Sequence, residues 1–276
     1  MGKTVVAICY DFDKTLSTDD MQTFSFIPNL GLETHEFWDR CNEFAKNNQM
    51  DSILTCMKMM IDACKEKNIK LTREYLFDMG KNIKYYNGVP TWFDRINDYA
   101  KQLDIELEHY VISSGNKEII EGSIIYDKFK EVYANEFLFD ENGEAYWPKM
   151  AINHTQKTQF LFRIQKGIFD LADGTSFNSK VDKKHVEARN MIYIGDGMTD
   201  VPCMAIVKER GGTAISIYQP NNKDTSIKLI EEDRVNYACS NDFSENSKLE
   251  NLMKLILSSI SLKEKLITSE SKNETI

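Results

Sequence analysis

The sequence predicts an α/β fold: a doubly wound, parallel sheet with a helical segment inserted after its first strand. Three observations predict it. Short β-branched and aromatic runs alternate with stretches of helical spacing. The first run, TVVAICY at 4–10, suits a strand buried on both faces, as in parallel sheets. Small polar or acidic turns follow the strand runs, where such sheets bind ligands beyond the carboxyl ends of their strands.

The run at 4–10 delivers Asp11 at its carboxyl end. From 17 to about 101 the texture is helical, with Ile53, Met57, Met60 and Ile61 falling three or four positions apart, and this stretch is the insertion. The sheet resumes at 109–113, after which Ser114, Gly115 and Asn116 read as a polar turn opening a helix at Lys117. A strand at 132–139, the turn DENGE at 140–144 and a return strand at 145–147 make a hairpin. Thr155 is the expected cap of a helix whose apolar face is Phe160, Leu161, Ile164 and Ile168; it ends near Gly167 and holds Lys157 in its first turn. A polar loop at 173–184 precedes a strand at 190–194, the turn GDGMTD, a helix to about Glu209 and strands at 213–218 and 235–238. A closing helix at 244–260 leads into a polar tail expected to fray. The expected division is 1–16 with 102–276 for the sheet domain and 17–101 for the helical insertion.

A chain of 276 residues exceeds one average domain, at roughly 150 residues each, and is long enough to bury a sizeable core. Hydrophobic residues at 42% and charged residues at 28% exclude the disordered and low-complexity classes. Lys and Arg number 34 against 43 Asp and Glu, a net charge of -9 that opposes attraction to a polyphosphate backbone and argues against nucleic acid as a partner. The six cysteines (Cys9, Cys41, Cys56, Cys64, Cys203, Cys239) are scattered without a CxxC pair, so reduced and mostly buried thiols are expected. The apolar run at 5–10 is too short for a signal segment or a membrane span, and the expectation is a cytoplasmic protein with no membrane partner.

Chemistry concentrates in the turns. Asp11 and Asp13, two positions apart, share one side of an extended backbone, and like charges that close need a cation or a proton between them. Magnesium meets that need, because it prefers a few carboxylate or carbonyl oxygens, several waters and a phosphate. Alone, DFDKT reads as a solvated acidic turn with Thr15 as a helix cap. It does not stand alone: GDGMTD also follows a hydrophobic strand and brings Asp196 and Asp200 to the same sheet edge. Glycines on both sides of Asp196 permit close approach of backbone to ligand, against the plainer reading of Asp200 as a charge at a helix start. Ser114 and Gly115 offer a hydroxyl and backbone amides to an anionic oxygen. Lys157 by itself is a solvated helix residue.

In this order, and each at a strand or helix end, DFDKT, SSG, Lys157 and GDGMTD resemble the haloacid dehalogenase superfamily from Asp11 to Asp200. The resemblance implies a Rossmann-like core, a helical cap at 17–101 that excludes water and selects the substrate, and hydrolysis of a small phosphorylated metabolite with Mg2+. The acid at Asp13 is typical of that superfamily's phosphatases and phosphomutases. Asp11 is then implied as the nucleophile that becomes an aspartyl-phosphate, and Asp13 as the acid and later the base. Magnesium is implied at Asp11, the Asp13 carbonyl and Asp196, with Asp200 behind them. Ser114, Gly115 and Lys157 are implied at the phosphoryl oxygens, and Thr15 braces the loop.

YANEFLFDENG at 133–143, NGVP at 87–90 and VISSG at 111–115 look most like the phosphoserine phosphatase branch. Asp20 stands where that branch commonly has a Glu contacting the substrate amine, so Asp20 is the expected substrate-selecting residue. The helix around 52–60 departs from the branch in having no Arg for a substrate carboxylate. Of the insertion's aromatics (Phe24, Phe26, Phe37, Trp38, Tyr75, Tyr85, Tyr86, Trp92), most are expected in a lid core, while a minority with Asp20 could cage a cationic head group as in phosphocholine. Two alternatives stay open: phosphoryl transfer to another acceptor, as in a phosphomutase, and a non-catalytic phospho-receiver, which also combines Asp, magnesium, a hydroxyl and Lys.

Overall fold

The run TVVAICY occupies the middle of the sheet. In the computed structural model, which describes residues 3–181 and 183–273, the strands are β1 (Thr4–Tyr10), β2 (Ile105–Asn116), β3 (Glu131–Phe139), β4 (Ala145–Met150), β5 (Met191–Gly195), β6 (Thr213–Tyr218) and β7 (Tyr237–Ser240). They form one sheet in the order β4-β3-β2-β1-β5-β6-β7. All neighbours are parallel except the β3–β4 hairpin, whose turn has Gly143 at φ 75. Between β1 and β2 lie α1 (Met21–Phe24), α2 (Phe26–Asn29), α3 (Thr34–Asn48), α4 (Ser52–Glu66), α5 (Arg73–Gly80) and α6 (Val89–Gln102). The remaining helices are α7 (Lys117–Glu121), α8 (Lys157–Lys166), α9 (Gly174–Asn178), α10 (Val201–Glu209), α11 (Asp224–Glu231) and α12 (Lys248–Asn273). This is the expected doubly wound α/β fold with a helical insertion.

Period-two alternation divides the strands between two cores. Val6, Ile8 and Tyr10 face one side, covered by Trp92 and Phe93 of α6 and Leu249, Met253 and Leu257 of α12. Ala7 and Cys9 face the other, under Phe160 and Ile164 of α8, Cys203 and Met204 of α10 and Leu229 of α11. Val6 to Tyr10 are accordingly 0% exposed, which explains the absence of polar alternation in this run. Tyr10 pairs with Val111 of β2 on one side and Ile194 of β5 on the other. The chain leaves β1 in opposite directions at this point, and a crevice opens beyond its carboxyl end.

Some elements differ from expectation. Helix α6 falls within the 17–101 insertion of the sequence reading, yet it packs on the sheet: Trp92 Nε1 donates to the Tyr10 hydroxyl at 2.9 Å. Its amphipathic face matches apolar strands, and Gly88, at φ 82, turns the chain onto it. Ser114, Gly115 and Asn116 continue β2, irregular in register after Ile112, and the helix that follows has only five residues. Thr155 does not cap α8; its hydroxyl lies 3.3 Å from Asn153 Oδ1, and Gln156 holds the cap position. The loop at 173–184 contains α9, started by Asp173 accepting from Ser176 N at 2.8 Å. Helix α12 continues into the expected fraying tail as far as Asn273, where Lys, Leu and Glu favour helix and Arg189 Nε donates to Glu264 at 2.7 Å, and the last three positions of that tail lie outside the described residues. Among the described residues no helix is long and apolar enough to cross a membrane.

Candidate active site

Backbone pairing sets the site. Asp11 N donates to Ile194 O at 3.0 Å, so β5 carries the end of β1 one residue past the sheet and leaves the Asp11 side chain in the crevice. Asp11 Oδ1 accepts from Phe12 N at 2.8 Å and from Lys157 Nζ at 3.0 Å. Asp11 Oδ2 accepts no hydrogen bond from the described residues. Lys14 then takes φ 58, folding the chain so that Asp13 Oδ1 accepts from Met21 N at 2.9 Å. A Cβ on Gly115 would stand 2.9 Å from Asp13 Oδ2 and 2.1 Å from Met21 Cε, so only glycine leaves both side chains their places.

Lys157, 1% exposed, ties the two acidic turns together. Its Nζ lies 2.8 Å from Asp200 Oδ1 as well as 3.0 Å from Asp11 Oδ1. The solvated-residue reading of Lys157 is therefore excluded, and so is Asp200 as a simple helix-start charge: its side chain makes no capping bond to α10. Tyr193, on β5, donates to the same Asp200 oxygen at 2.8 Å. Sequence reading missed Tyr193; its signal is a lone hydroxyl in the otherwise apolar run MIYIG. Gly195 is required by this arrangement, because a Cβ there would lie 2.3 Å from Asp200 Oδ2.

Electrostatics follow from this geometry. Burial first, then repulsion from Asp200, raises Asp11 to about 6 despite Lys157 and Phe12 N. Burial, then the charges of Asp11 and Asp200, raises Asp196 to about 8. Asp13 is pushed well above the carboxylate range by burial and by Asp20 and Asp11. Burial works against the charge of Lys157, but Asp11 and Asp200 outweigh it and hold the ammonium. Carboxylate oxygens of Asp11, Asp196 and Asp200 lie within 4.8 Å of one another, and the buried Asp200 Oδ2 has no hydrogen-bond partner among the described residues. Hard oxygen donors, an orphaned buried oxygen and mutually raised carboxyls are what a divalent cation such as magnesium satisfies.

A cavity of about 380 Å³ lies over this cluster, between the sheet edge and the insertion. Asp11, Asp13, Ser114, Lys157, Asp196 and Asp20 all line it. Ser114 Oγ donates to Ile152 O at 2.8 Å, and Asn135 Nδ2 donates to the Ser114 carbonyl. The amides expected to be free are engaged: Gly115 N donates to Ser113 Oγ at 2.9 Å, and Asn116 N meets Met21 Sδ at 3.1 Å. Thr15 is buried outside the cavity; its Oγ1 has no partner, and its backbone N donates to Phe12 O at 3.3 Å. Asp20 is paired with Lys14 Nζ at 2.6 Å. Of the eight insertion aromatics only Trp38 lines the cavity, and Phe26, Phe37 and Trp92 are core, so no aromatic cage assembles.

A sequence profile of the family described as haloacid dehalogenase-like hydrolase matches residues 8–205. A protein of Borreliella burgdorferi, described as uncharacterised, is 25% identical over 278 residues, covering 90% of this chain and 95% of its own. A hydrolase from Salmonella enterica serovar Typhi has a similar structure, with TM-score 0.60 and 16% identity over 93% of this chain and 72% of its own. A substrate-bound phosphoserine phosphatase gives TM-score 0.55 and 14% identity over 92% of this chain and 99% of its own. At these identities the structural likeness is one of fold.

Proposed function

Because the chain belongs to the haloacid dehalogenase-like hydrolases, an enzyme class, we propose that it hydrolyses a small phosphomonoester through an aspartyl-phosphate on Asp11. One observation carries this reading: Asp11 has Oδ1 held by Phe12 N and Lys157, while Oδ2 accepts no hydrogen bond from the described residues and belongs to a side chain lining the cavity. A carboxylate so oriented attacks phosphorus with one oxygen and stays anchored by the other.

Asp13, raised by burial and by Asp20 and Asp11, holds a proton for the departing ester oxygen. As a carboxylate it then takes a proton from the water that releases phosphate from Asp11. Lys157 offers a donor to the phosphoryl oxygens and offsets the charge of carboxylate plus phosphate, and the Ser114 hydroxyl joins it by turning from Ile152 O. Asp11, the Asp13 carbonyl and Asp196 would hold Mg2+, with Asp200 fixing Lys157 beside them. The ion supplies electrostatic stabilisation of the phosphoryl group. The substrate is a small metabolite, since the cavity is about 380 Å³ and residues of the insertion form part of its wall. Asp20, which also lines the cavity, is the residue that reads the leaving group.

Purified protein with magnesium, screened against small phosphomonoesters without an added acceptor, should release inorganic phosphate. Loss of the ester only when an acceptor alcohol is supplied, with the phosphoryl group recovered on that alcohol and none as inorganic phosphate, would assign the chain to phosphoryl transfer. No turnover and no phosphoenzyme with any ester would reject the reading.

A further inference from the structure

The cavity wall carries two sulfurs that the proposed chemistry does not use. Cys41 on α3 and Cys56 on α4 both line it, and both are free thiols. Their helices are the arms of one αα-hairpin joined through residues 49–51. The two helices pack against each other, and each thiol is the largest influence on the other's ionisation. Cys9, Cys64, Cys203 and Cys239 are buried elsewhere and do not line the cavity. Two thiols from two packed helices therefore face one cavity.

We propose that Cys41 and Cys56 are a reversible oxidation site in the wall of this cavity, converted to a disulfide by a small peroxide. A cavity of about 380 Å³ admits hydrogen peroxide freely. The Cys41 thiolate attacks one peroxide oxygen, the O–O bond breaks, and the leaving hydroxide takes up a proton to become water. This leaves a sulfenic acid on Cys41. The Cys56 sulfur then attacks the Cys41 sulfur, the S–O bond breaks, and the departing hydroxide leaves as water with the Cys56 proton. Two thiols thus lose two electrons and two protons, and one peroxide becomes two waters. Cys56 holds the Cys41 thiol below the ordinary thiol range, while Cys41 and then burial hold Cys56 well above it, which suits the order of attack.

The new bond would draw α3 and α4 together where Trp38, Asn42, Ser52 and Ile53, each within a turn or so of a sulfur, also line the cavity. Its effect on turnover rests on the phosphomonoesterase reading; the bond itself does not. The reduced full chain should be treated with hydrogen peroxide, alkylated after unfolding, digested and mapped by mass. The expected result is a linked peptide joining Cys41 to Cys56, reversed by dithiothreitol, with the other four cysteines alkylated. Cys56→Ser should stop at a Cys41 sulfenic acid trapped by dimedone. Ester hydrolysis by the oxidised protein should fall about tenfold or more, since misplacement by about 1 Å can cost on the order of a hundredfold. Absence of the linked peptide overturns the proposal, and a linkage that leaves hydrolysis unchanged overturns its effect on turnover. If the reduced protein hydrolyses no ester, the phosphatase reading fails and the linkage map alone decides the thiol pair.

Discussion

Asp11 and Asp13 lie two positions apart but meet different surroundings. Asp11 is anchored by a backbone amide and an ammonium, whereas Asp13 is held by Met21 N and faces Asp20. Asp11→Asn should therefore abolish phosphoenzyme formation, because an amide does not attack phosphorus. Asp13→Asn should keep the nucleophile and slow turnover by about 10² to 10⁴-fold, the usual contribution of a general acid or base. With an aryl phosphate that leaves without a proton, acid-quenched intact mass should show a phosphoryl adduct on Asp13→Asn and none on Asp11→Asn. Asp200 gives a second residue-scale test, since its Oδ1 accepts from both Lys157 and Tyr193. Tyr193→Phe removes one donor from a buried charge and should lower unfolding stability by about 1.5–3 kcal/mol in urea titrations. A stability within error of the parent would mean that the Tyr193 hydroxyl contributes nothing to holding Asp200.

Between elements, the closest approach joins the insertion to the sheet domain. A Cβ on Gly122, at the end of α7, would lie 1.7 Å from the Phe77 carbonyl oxygen of α5, and one on Gly80 would lie 2.1 Å from Ile119 O. Arg73 of α5 reinforces the contact with Glu121 at 2.8 Å. Both neighbours are backbone and cannot rotate away, so Gly122→Ala should destabilise by about 3 kcal/mol, the upper end for overpacking, read as a lower thermal midpoint. A second junction joins α6, β1 and β2. Trp92 Nε1 donates to the Tyr10 hydroxyl, Tyr10 donates to His109 Nδ1 at 3.1 Å, and His109 Nε2 donates to Asn97 Oδ1 at 3.2 Å. This relay needs a neutral ring, and burial depresses His109 to about 3. The unfolded chain has His near 6.5, so this contribution is fully present above about pH 6.5 and is lost as pH falls toward 3. His109→Gln should lose less stability than the parent between about pH 6.5 and 5, measured as unfolding free energy against pH in both proteins. Equal slopes would show that His109 does not titrate on unfolding.

At the scale of the whole molecule, the sheet brings four separate stretches of chain to one edge and the insertion closes over them. The cost is a concentration of buried carboxylates, with Asp11 and Asp196 both raised by burial and by their neighbours. A divalent cation should offset that cost in the folded state alone. Magnesium is expected to raise the thermal midpoint, by about 2.7 kcal/mol of stability at a hundredfold excess over its dissociation constant, and excess chelator should abolish turnover. Asp196→Asn should lose the magnesium-dependent part of the shift. A midpoint indifferent to magnesium would remove the metal from the site.

The sequence by itself determined the sheet, the insertion after β1, and the delivery of Asp11, Asp13, Asp196 and Asp200 to one edge, while Lys157 joined them only as the family resemblance implies. These follow from local periodicity and from the rule that parallel strands carry their ligands at one end, both of which are written in short stretches of chain. Only the tertiary structure decided which atoms meet. Lys157 reaches Asp200 across 43 positions, and Tyr193 claims the same oxygen from a strand that reads as plain core. Gly115 N, expected to face an anion, is taken by Ser113 Oγ, and α6 belongs to the sheet although its sequence continues the helical texture of the insertion. The cavity is likewise shared by Cys41 and Cys56, which the sequence shows merely as scattered thiols. Periodicity reports which face of an element is apolar; partner choice depends on side-chain direction, distance and desolvation after the elements have packed, and no local pattern encodes it.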